Sequence, residues 1–170
     1  SANNIKICYT WATLRPVLLK PIILIAKFLF VRKYNKYENY SIHKQYKKKS
    51  INKFRYLMWI QFFIALIDYY PQYLFKVYFP SKFNDIVIAD RYYIDFFIER
   101  GILANWSPEK TYDKIIRYQN IFLKPNISVY LKIDPDEAMK RKDDIPSIEY
   151  LNDRMKYYDY IHNKFNSSII

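Results

Sequence analysis

The chain is poor in the residues that build disulfides, metal clusters and glycine-rich loops. Cys8 is the only cysteine among 170 residues, so no intramolecular disulfide and no thiolate metal cluster can form, and a reducing compartment, the cytoplasm, is expected. His43 and His162 are the only histidines and lack metal-ligand spacing, which argues against a zinc site. Gly101 is the only glycine, which excludes a Gly-x-x-x-x-Gly-Lys-Ser/Thr phosphate loop from these residues.

Long uninterrupted apolar runs are also missing. Residues 17–31 contain Lys20, and residues 57–79 contain Asp68, whereas a membrane span needs about 20 predominantly apolar residues. Both stretches are therefore predicted to be buried or interfacial helices. The first residues lack the pattern of a secretory signal.

Positive charge, by contrast, is plentiful. The 28 Lys and Arg residues exceed the 16 Asp and Glu residues, for a formal charge of +12, which suits nucleic acid, nucleotides or an acidic membrane surface. An AT-rich coding sequence would explain the abundant Lys, Asn and Tyr equally well. The length favours one domain over residues 1–170, with residues 32–52 as a basic connector.

Apolar runs and helix-capping residues predict an alternation of strands and helices. Strands are predicted at residues 5–9, 86–89 and 127–133, with a further strand beginning in 165–170. The run 86–89 is continuously apolar, as a strand buried on both faces requires. Such an order favours an α/β fold with a parallel sheet flanked by helices.

The helices are predicted from periodicity and from their caps. One over residues 54–79 is expected to bend or break at Pro71, and one over 92–102 to stop at Gly101. Ser107, Asp134 and Ser147 are predicted to begin three more. The aromatic residues of 54–79 favour a core face over a base-stacking pocket.

Asp90 and Arg91 follow the apolar run 86–89 directly. Ligands bind beyond the carboxyl ends of strands in open parallel sheets. A carboxylate there can hold magnesium through water, and a guanidinium can grip phosphate with two parallel hydrogen bonds. A purely structural ion pair explains the two residues equally well.

Two segments resemble the thymidylate kinase family. Residues 85–95, with Asp90-Arg91-Tyr92, are similar to its central strand and signature, and residues 124–142 are similar to its next strand, Asp-Pro turn and lid entry. The resemblance implies a P-loop NTP hydrolase-like three-layer fold that lacks, in these residues, the first strand and the P-loop. It also implies a nucleoside monophosphate kinase that transfers the ATP γ-phosphoryl group to dTMP or a related monophosphate.

On the acceptor side, the resemblance implies that Arg91 binds the monophosphate and that Tyr92 shapes the pocket. Asp95 and Arg15 are implied as further substrate contacts.

For catalysis, the resemblance implies Asp90, Arg91 and Arg141, with Asp90 organising Mg²⁺ through water. Arg141 and Lys142 would contact ATP from a lid at residues 134–149. A segment with the P-loop is expected to precede the chain, and a homodimer is expected through apolar helices.

Two departures leave the acceptor open. Residues 67–69 read Ile-Asp-Tyr where the family has an Asp-Arg pair, and residues 99–101 read Glu-Arg-Gly in place of Tyr-Gln-Gly. A different class of function stays open as well: a non-catalytic, kinase-like module that binds nucleic acid or an anionic membrane through its basic and aromatic surface.

Overall fold

A computed structural model describes residues 4–13, 15–17, 20–21, 55–141, 145–165 and 168–169. The predicted connector at 32–52 and Lys142 lie outside the described residues, as does most of the predicted helix at 17–31.

Helices outnumber strands in the described part of the chain, and the predicted mixed α/β class is confirmed. In chain order the elements are β1 (Ile7–Trp11), α1 (Arg55–Tyr73) with a π-helical turn (Leu74–Tyr78), α2 (Pro80–Phe83), β2 (Ile86–Asp90), α3 (Tyr93–Leu103), α4 (Pro108–Tyr118) with a 3₁₀ turn (Gln119–Ile121), β3 (Val129–Tyr130), α5 (Pro135–Arg141), α6 (Ile148–Lys164) and β4 (Ser168–Ile169). None of the described helices is long and apolar enough to cross a membrane.

The described strands form two parallel pairs. Strand β1 pairs with β2, from Ile7 opposite Ile86 to Trp11 opposite Asp90, and β3 pairs with β4. Strand β3 is shorter than predicted. Because parallel strands end at the same edge, the segments after β1 and β2 lie side by side, and the Ala12 N–H donates to the Asp90 carbonyl at 2.8 Å.

The prediction that β2 is buried on both faces is wrong. Its residues alternate between exposed and half-buried, in step with those of β1. One face of this sheet exposes its side chains to solvent, namely Ile7, Tyr9, Trp11, Ile86 and Ile88. The helices of the described part of the chain cover only the other face.

The core is aromatic and lies between α1 and α3. Tyr69 of α1 stacks on Phe96 of α3 with ring centroids 4.6 Å apart. Tyr93 stacks on Phe122 at 5.3 Å. Such pairs add about 0.5–1.5 kcal/mol each to the free energy of burial.

Helix α1 continues through Pro71, so a break there, one of the two predicted outcomes, is wrong; the predicted bend stays a prediction. Tyr69 and Tyr73, on either side of the proline, are 0% and 4% exposed. The burial of these two rings offsets part of the cost of about 3 kcal/mol for an internal proline. A π-helical turn follows, in which the Phe79 N–H donates to the Leu74 carbonyl at 2.9 Å.

The three predicted helix starts are confirmed. Ser107, Asp134 and Ser147 each accept a hydrogen bond from a backbone N–H two or three residues further on, those of Lys110, Asp136 and Tyr150 respectively. These bonds satisfy donors that the first helical turn leaves unpaired.

Gly101 lies inside α3, so the prediction that it stops this helix is wrong. Thr111 of α4 is 0% exposed, and its hydroxyl donates to the Ser107 carbonyl at 2.9 Å. A Cβ built on Gly101 would lie 2.2 Å from this hydroxyl oxygen. Glycine is therefore required by the close approach of α3 and α4.

We predict that Gly101→Ala lowers the free energy of unfolding by about 1–3 kcal/mol, because the added methyl overpacks the helix contact. Denaturant unfolding measures this loss. In a Thr111→Ala background the added loss should be smaller, because the clashing hydroxyl is gone. Equal losses in both backgrounds would contradict the assignment.

His162 of α6 packs against Tyr130 of β3, with ring centroids 4.7 Å apart and planes 10° from parallel. Burial lowers the pKa of His162, an effect that Asp159 partly offsets. The unfolded chain therefore binds a proton near pH 6.5 that the folded chain does not.

We expect the free energy of unfolding to fall as pH drops below about 6.5, by at most about 1.4 kcal/mol per pH unit for this group. His162→Phe keeps a ring beside Tyr130 and removes the titration. Denaturant unfolding between about pH 7.5 and 5.5 should thus show a smaller pH dependence for the variant than for the wild type. An identical pH dependence would rule out His162 as the cause.

Candidate functional site

A cavity of about 500 Å³ opens beyond the carboxyl end of β2, between α3 and α6. Its lining comes from the segment after β1, from α3 and from α6: Thr13, Arg91, Asp95, Phe96, Glu99, Arg100, Ile145, Tyr150, Leu151, Arg154 and Tyr158. The volume falls within the range of small-molecule sites, about 300–1,000 Å³.

Arg91 has a left-handed backbone between β2 and α3, with φ 56°. Asn105 has the only other positive φ among the described non-glycine residues, and it follows the end of α3, where this conformation is common. At an arginine the conformation costs about 1–3 kcal/mol and is typical of functional sites. The strained turn directs the chain so that Arg91 lines the cavity.

Asp95 lies in the first turn of α3 and is bound by a residue of α6. The Tyr158 hydroxyl donates to Asp95 Oδ1 at 2.9 Å. Burial raises the pKa of the Asp95 carboxyl, and the Tyr158 hydrogen bond and the charge of Arg91 partly offset that rise. Both partners therefore favour the charged form of the carboxyl group, against the larger effect of burial.

Glu99, one turn further along α3, binds Arg154 of α6 through both carboxylate oxygens. One hydrogen bond joins Arg154 Nη1 to Glu99 Oε1, and the other joins Arg154 Nη2 to Glu99 Oε2 at 3.1 Å. Burial alone would lower the pKa of Arg154, but the hydrogen bonds to Glu99 outweigh it and raise the pKa. The guanidinium also lies over the Tyr150 ring, 4.7 Å from its centroid.

Arg100 adds a third guanidinium to the lining. Burial lowers its pKa, with partial compensation from Glu99, and its Nε is buried without a hydrogen-bond partner in the described part of the chain. Three guanidinium groups thus line the cavity together with two carboxylates. One of these carboxylates, that of Glu99, is bound to Arg154. The excess of positive charge suits an anionic ligand.

Of the predicted site residues that the structure describes, Arg91 and Asp95 alone line this cavity. Asp90 is exposed at the end of β2 and accepts a hydrogen bond from the Tyr9 hydroxyl at 3.2 Å. Tyr92 donates its hydroxyl to the Leu123 carbonyl at 2.9 Å and packs in the aromatic core, where burial raises its pKa. Tyr92 therefore stabilises the turn between β2 and α3 and does not line the cavity.

Arg15 and Arg141 also lie outside the lining. Gln72 holds the Arg15 backbone by two hydrogen bonds, accepting from its N–H at 2.9 Å and donating to its carbonyl at 2.8 Å. Arg141 is exposed at the end of α5 and pairs with Glu137, one turn earlier in the same helix. Neither guanidinium therefore shares the lining of the cavity with Arg91.

The α6 side of the cavity was missed by sequence reasoning, although a signal exists. Asp95 and Glu99 are four residues apart, and Tyr150, Arg154 and Tyr158 repeat at the same spacing. Residues four apart share one face of a helix. The complementary polar groups of these two rows could have predicted that α3 and α6 pack against each other.

Among the described residues, no group of three or more His, Cys, Asp or Glu side chains could hold a metal ion. Asp90 is a single carboxylate at a strand end. Mg²⁺ is commonly bound by one or two carboxylates together with substrate phosphates, so Asp90 fits an ion that arrives with a nucleotide.

Comparisons of the chain with protein-family models, with curated proteins and with solved structures find no match.

The Glu99–Arg154 pair should stabilise the fold, because it joins α3 to α6 with side chains only 35% and 24% exposed. We predict that Glu99→Gln lowers the free energy of unfolding by about 1–3 kcal/mol, less than for a fully buried pair. Glu137→Gln is the matched control: it breaks the exposed Glu137–Arg141 pair and should cost less than about 0.5 kcal/mol. Denaturant unfolding that gives equal losses would contradict the role assigned to Glu99.

Proposed function

We propose that the protein is the acceptor-binding part of a nucleoside monophosphate kinase of the thymidylate kinase-like kind. The observation that carries the proposal is the cavity at the carboxyl end of β2, which Arg91 enters from a strained turn together with Arg100 and Arg154. Binding at a strand's carboxyl end is the rule for open α/β sheets.

Arg91 is the proposed ligand of the acceptor phosphate. Like Arg100, it has no hydrogen-bonded carboxylate partner among the described residues, since Glu99 binds Arg154 and Asp95 acts on Arg91 only through charge. Of the two, Arg91 is the one that directly follows β2, in the strained turn. A planar guanidinium binds two phosphate oxygens at once, with charge-assisted hydrogen bonds.

The remainder of the acceptor would lie between α3 and α6. Asp95 offers a carboxylate oxygen there, and Tyr150 and Phe96 offer ring surface. The Glu99–Arg154 pair keeps the two helices at a fixed separation. Transfer chemistry of this class depends on positioning and charge neutralisation and needs no protein nucleophile.

The proposal also includes the arrangement of the strands in a single sheet. The two parallel pairs would belong to one P-loop NTP hydrolase-like sheet, in which a further parallel strand joins β2 to β3. The single glycine leaves no donor-phosphate loop within these 170 residues, so transfer from ATP requires a loop supplied from outside them. Asp90 would hold Mg²⁺ through water, and the compartment would be the cytoplasm.

Thermal unfolding with dTMP, other nucleoside monophosphates and ATP with magnesium tests acceptor binding. We expect one monophosphate to raise the Tm, since a ligand at about 100 times its Kd stabilises by about 2.7 kcal/mol. Arg91→Ala should weaken binding on the order of 10- to 100-fold, the value of a charge-assisted hydrogen bond. Arg117→Ala, an exposed arginine of α4, is the control and should bind like the wild type.

Two results would contradict the proposal. If no monophosphate raises the Tm, and the chain instead binds nucleic acid with an affinity that falls steeply with salt, the non-catalytic module is the better description. Equal weakening by Arg91→Ala and Arg117→Ala would remove Arg91 from the site.

A further inference from the structure

Arg100 lines the cavity with a guanidinium that lacks a hydrogen-bonded partner. Its Nε is buried and makes no hydrogen bond in the described part of the chain. Its Nη groups have no hydrogen-bonded carboxylate there either, because both oxygens of Glu99 bind Arg154, and Glu99 acts on Arg100 through charge alone. Unpaired donors in a partly buried group carry a free-energy cost that a bound ligand with hydrogen-bond acceptors removes.

The two open guanidinium groups of the cavity belong to residues that are well separated along the chain. Arg91 lies in the turn before α3. Arg100 lies seven residues beyond Tyr93, the first residue of α3, which is about 10 Å along the helix at 1.5 Å per residue. In a nucleoside monophosphate the base is the part farthest from the phosphate. With the phosphate on Arg91, Arg100 is therefore placed to contact the base.

The guanidinium of Arg100 offers two parallel donors. Because Nε is enclosed by the protein, a ligand meets the group end-on, with one N–H from each Nη. A planar fork of this kind binds two neighbouring hydrogen-bond acceptors at once. A lysine at this position would be a single point charge and could not specify such a pair.

The edges of the bases differ in how they match two parallel donors. Guanine carries two neighbouring acceptors, N7 and O6, and arginine is their commonest side-chain partner. Adenine has an amino donor beside N7, and thymine has the N3–H donor between its two carbonyls. Cytosine has N3 beside O2, but O2 lies next to the glycosidic bond and the sugar. Guanine is thus the base that fits a guanidinium away from the phosphate end.

We propose that Arg100 determines the base specificity of the site and that the nucleotide phosphorylated there is a guanine nucleotide, whose N7 and O6 accept hydrogen bonds from the two Nη groups of Arg100. This assignment rests on the proposed function, because it takes Arg91 as the ligand of the nucleotide phosphate.

Calorimetric titration with two matched ligands tests the contact to N7. The ligands are dGMP and 7-deaza-dGMP, which differ only in that a C–H replaces N7. The wild type should bind dGMP about 10-fold more tightly or better, the value of one hydrogen bond to a charged group. It should also bind dGMP more tightly than dAMP, dTMP and dCMP.

Substitution of Arg100 should remove this discrimination. Arg100→Lys keeps the charge but not the fork, so dGMP and 7-deaza-dGMP should bind within about two-fold of each other. Arg117→Lys, the same change at an exposed arginine of α4, is the matched control and should keep the wild-type ratio. Arg91→Ala should weaken both ligands equally, because the phosphate is common to both.

Arg100→Gln provides a second readout that loss of packing alone would not produce. An amide side chain pairs with N6 and N7 of adenine, so this variant should shift the preference from dGMP toward dAMP. Circular dichroism checks that each variant keeps its helices.

The outcomes separate this assignment from the proposed function. If no monophosphate binds the wild type, both fail. If a monophosphate binds but dGMP is not preferred, or if the preference survives Arg100→Lys, the base assignment alone fails. Equal weakening of all monophosphates by Arg100→Lys would make Arg100 a phosphate ligand and would also overturn the base assignment.

Discussion

The parallel register of β1 and β2 is the constraint on which the candidate site depends. It sets Trp11 opposite Asp90, and the bond from the Ala12 N–H to the Asp90 carbonyl extends the pairing past the strand ends. Thr13 and Arg91 therefore reach the same edge and line the same cavity. A slip of one residue would send the side chains of one strand to the opposite face.

Polar contacts beside the cavity join α3 to α6 at defined points. Asp95 bonds to Tyr158, and Glu99 to Arg154, so each contact joins a group whose burial would be unfavourable without its partner. The aromatic core on the other side of α3 fixes that helix independently. The polar contacts of the site thus lie on one side of α3, and the rigid aromatic core lies on the other.

Local chemistry was predictable from the sequence, and long-range pairing was not. The caps at Ser107, Asp134 and Ser147 depend on neighbours two or three residues away, and all three helices begin there. Arg154 is 55 residues from Glu99, and Tyr158 is 63 from Asp95. The four-residue spacing shows which of these residues share a helix face, but the packing of α6 on α3 decides which partner each one meets.

The errors have the same origin. The rules for Pro71 and Gly101 describe an isolated helix, whereas the burial of Tyr69 and Tyr73 carries α1 through its proline, and contact with Thr111 explains the glycine inside α3. The roles given to Arg15, Tyr92 and Arg141 by resemblance stay predictions. These residues lie outside the cavity lining, and a resemblance gives positions along a chain but not the direction of a side chain.

The most direct measurement is a crystal structure of the chain with the monophosphate that stabilises it most. The account predicts a phosphate oxygen about 2.7–2.9 Å from the Arg91 guanidinium, inside the cavity between α3 and α6, whereas a phosphate bound outside that cavity would contradict it.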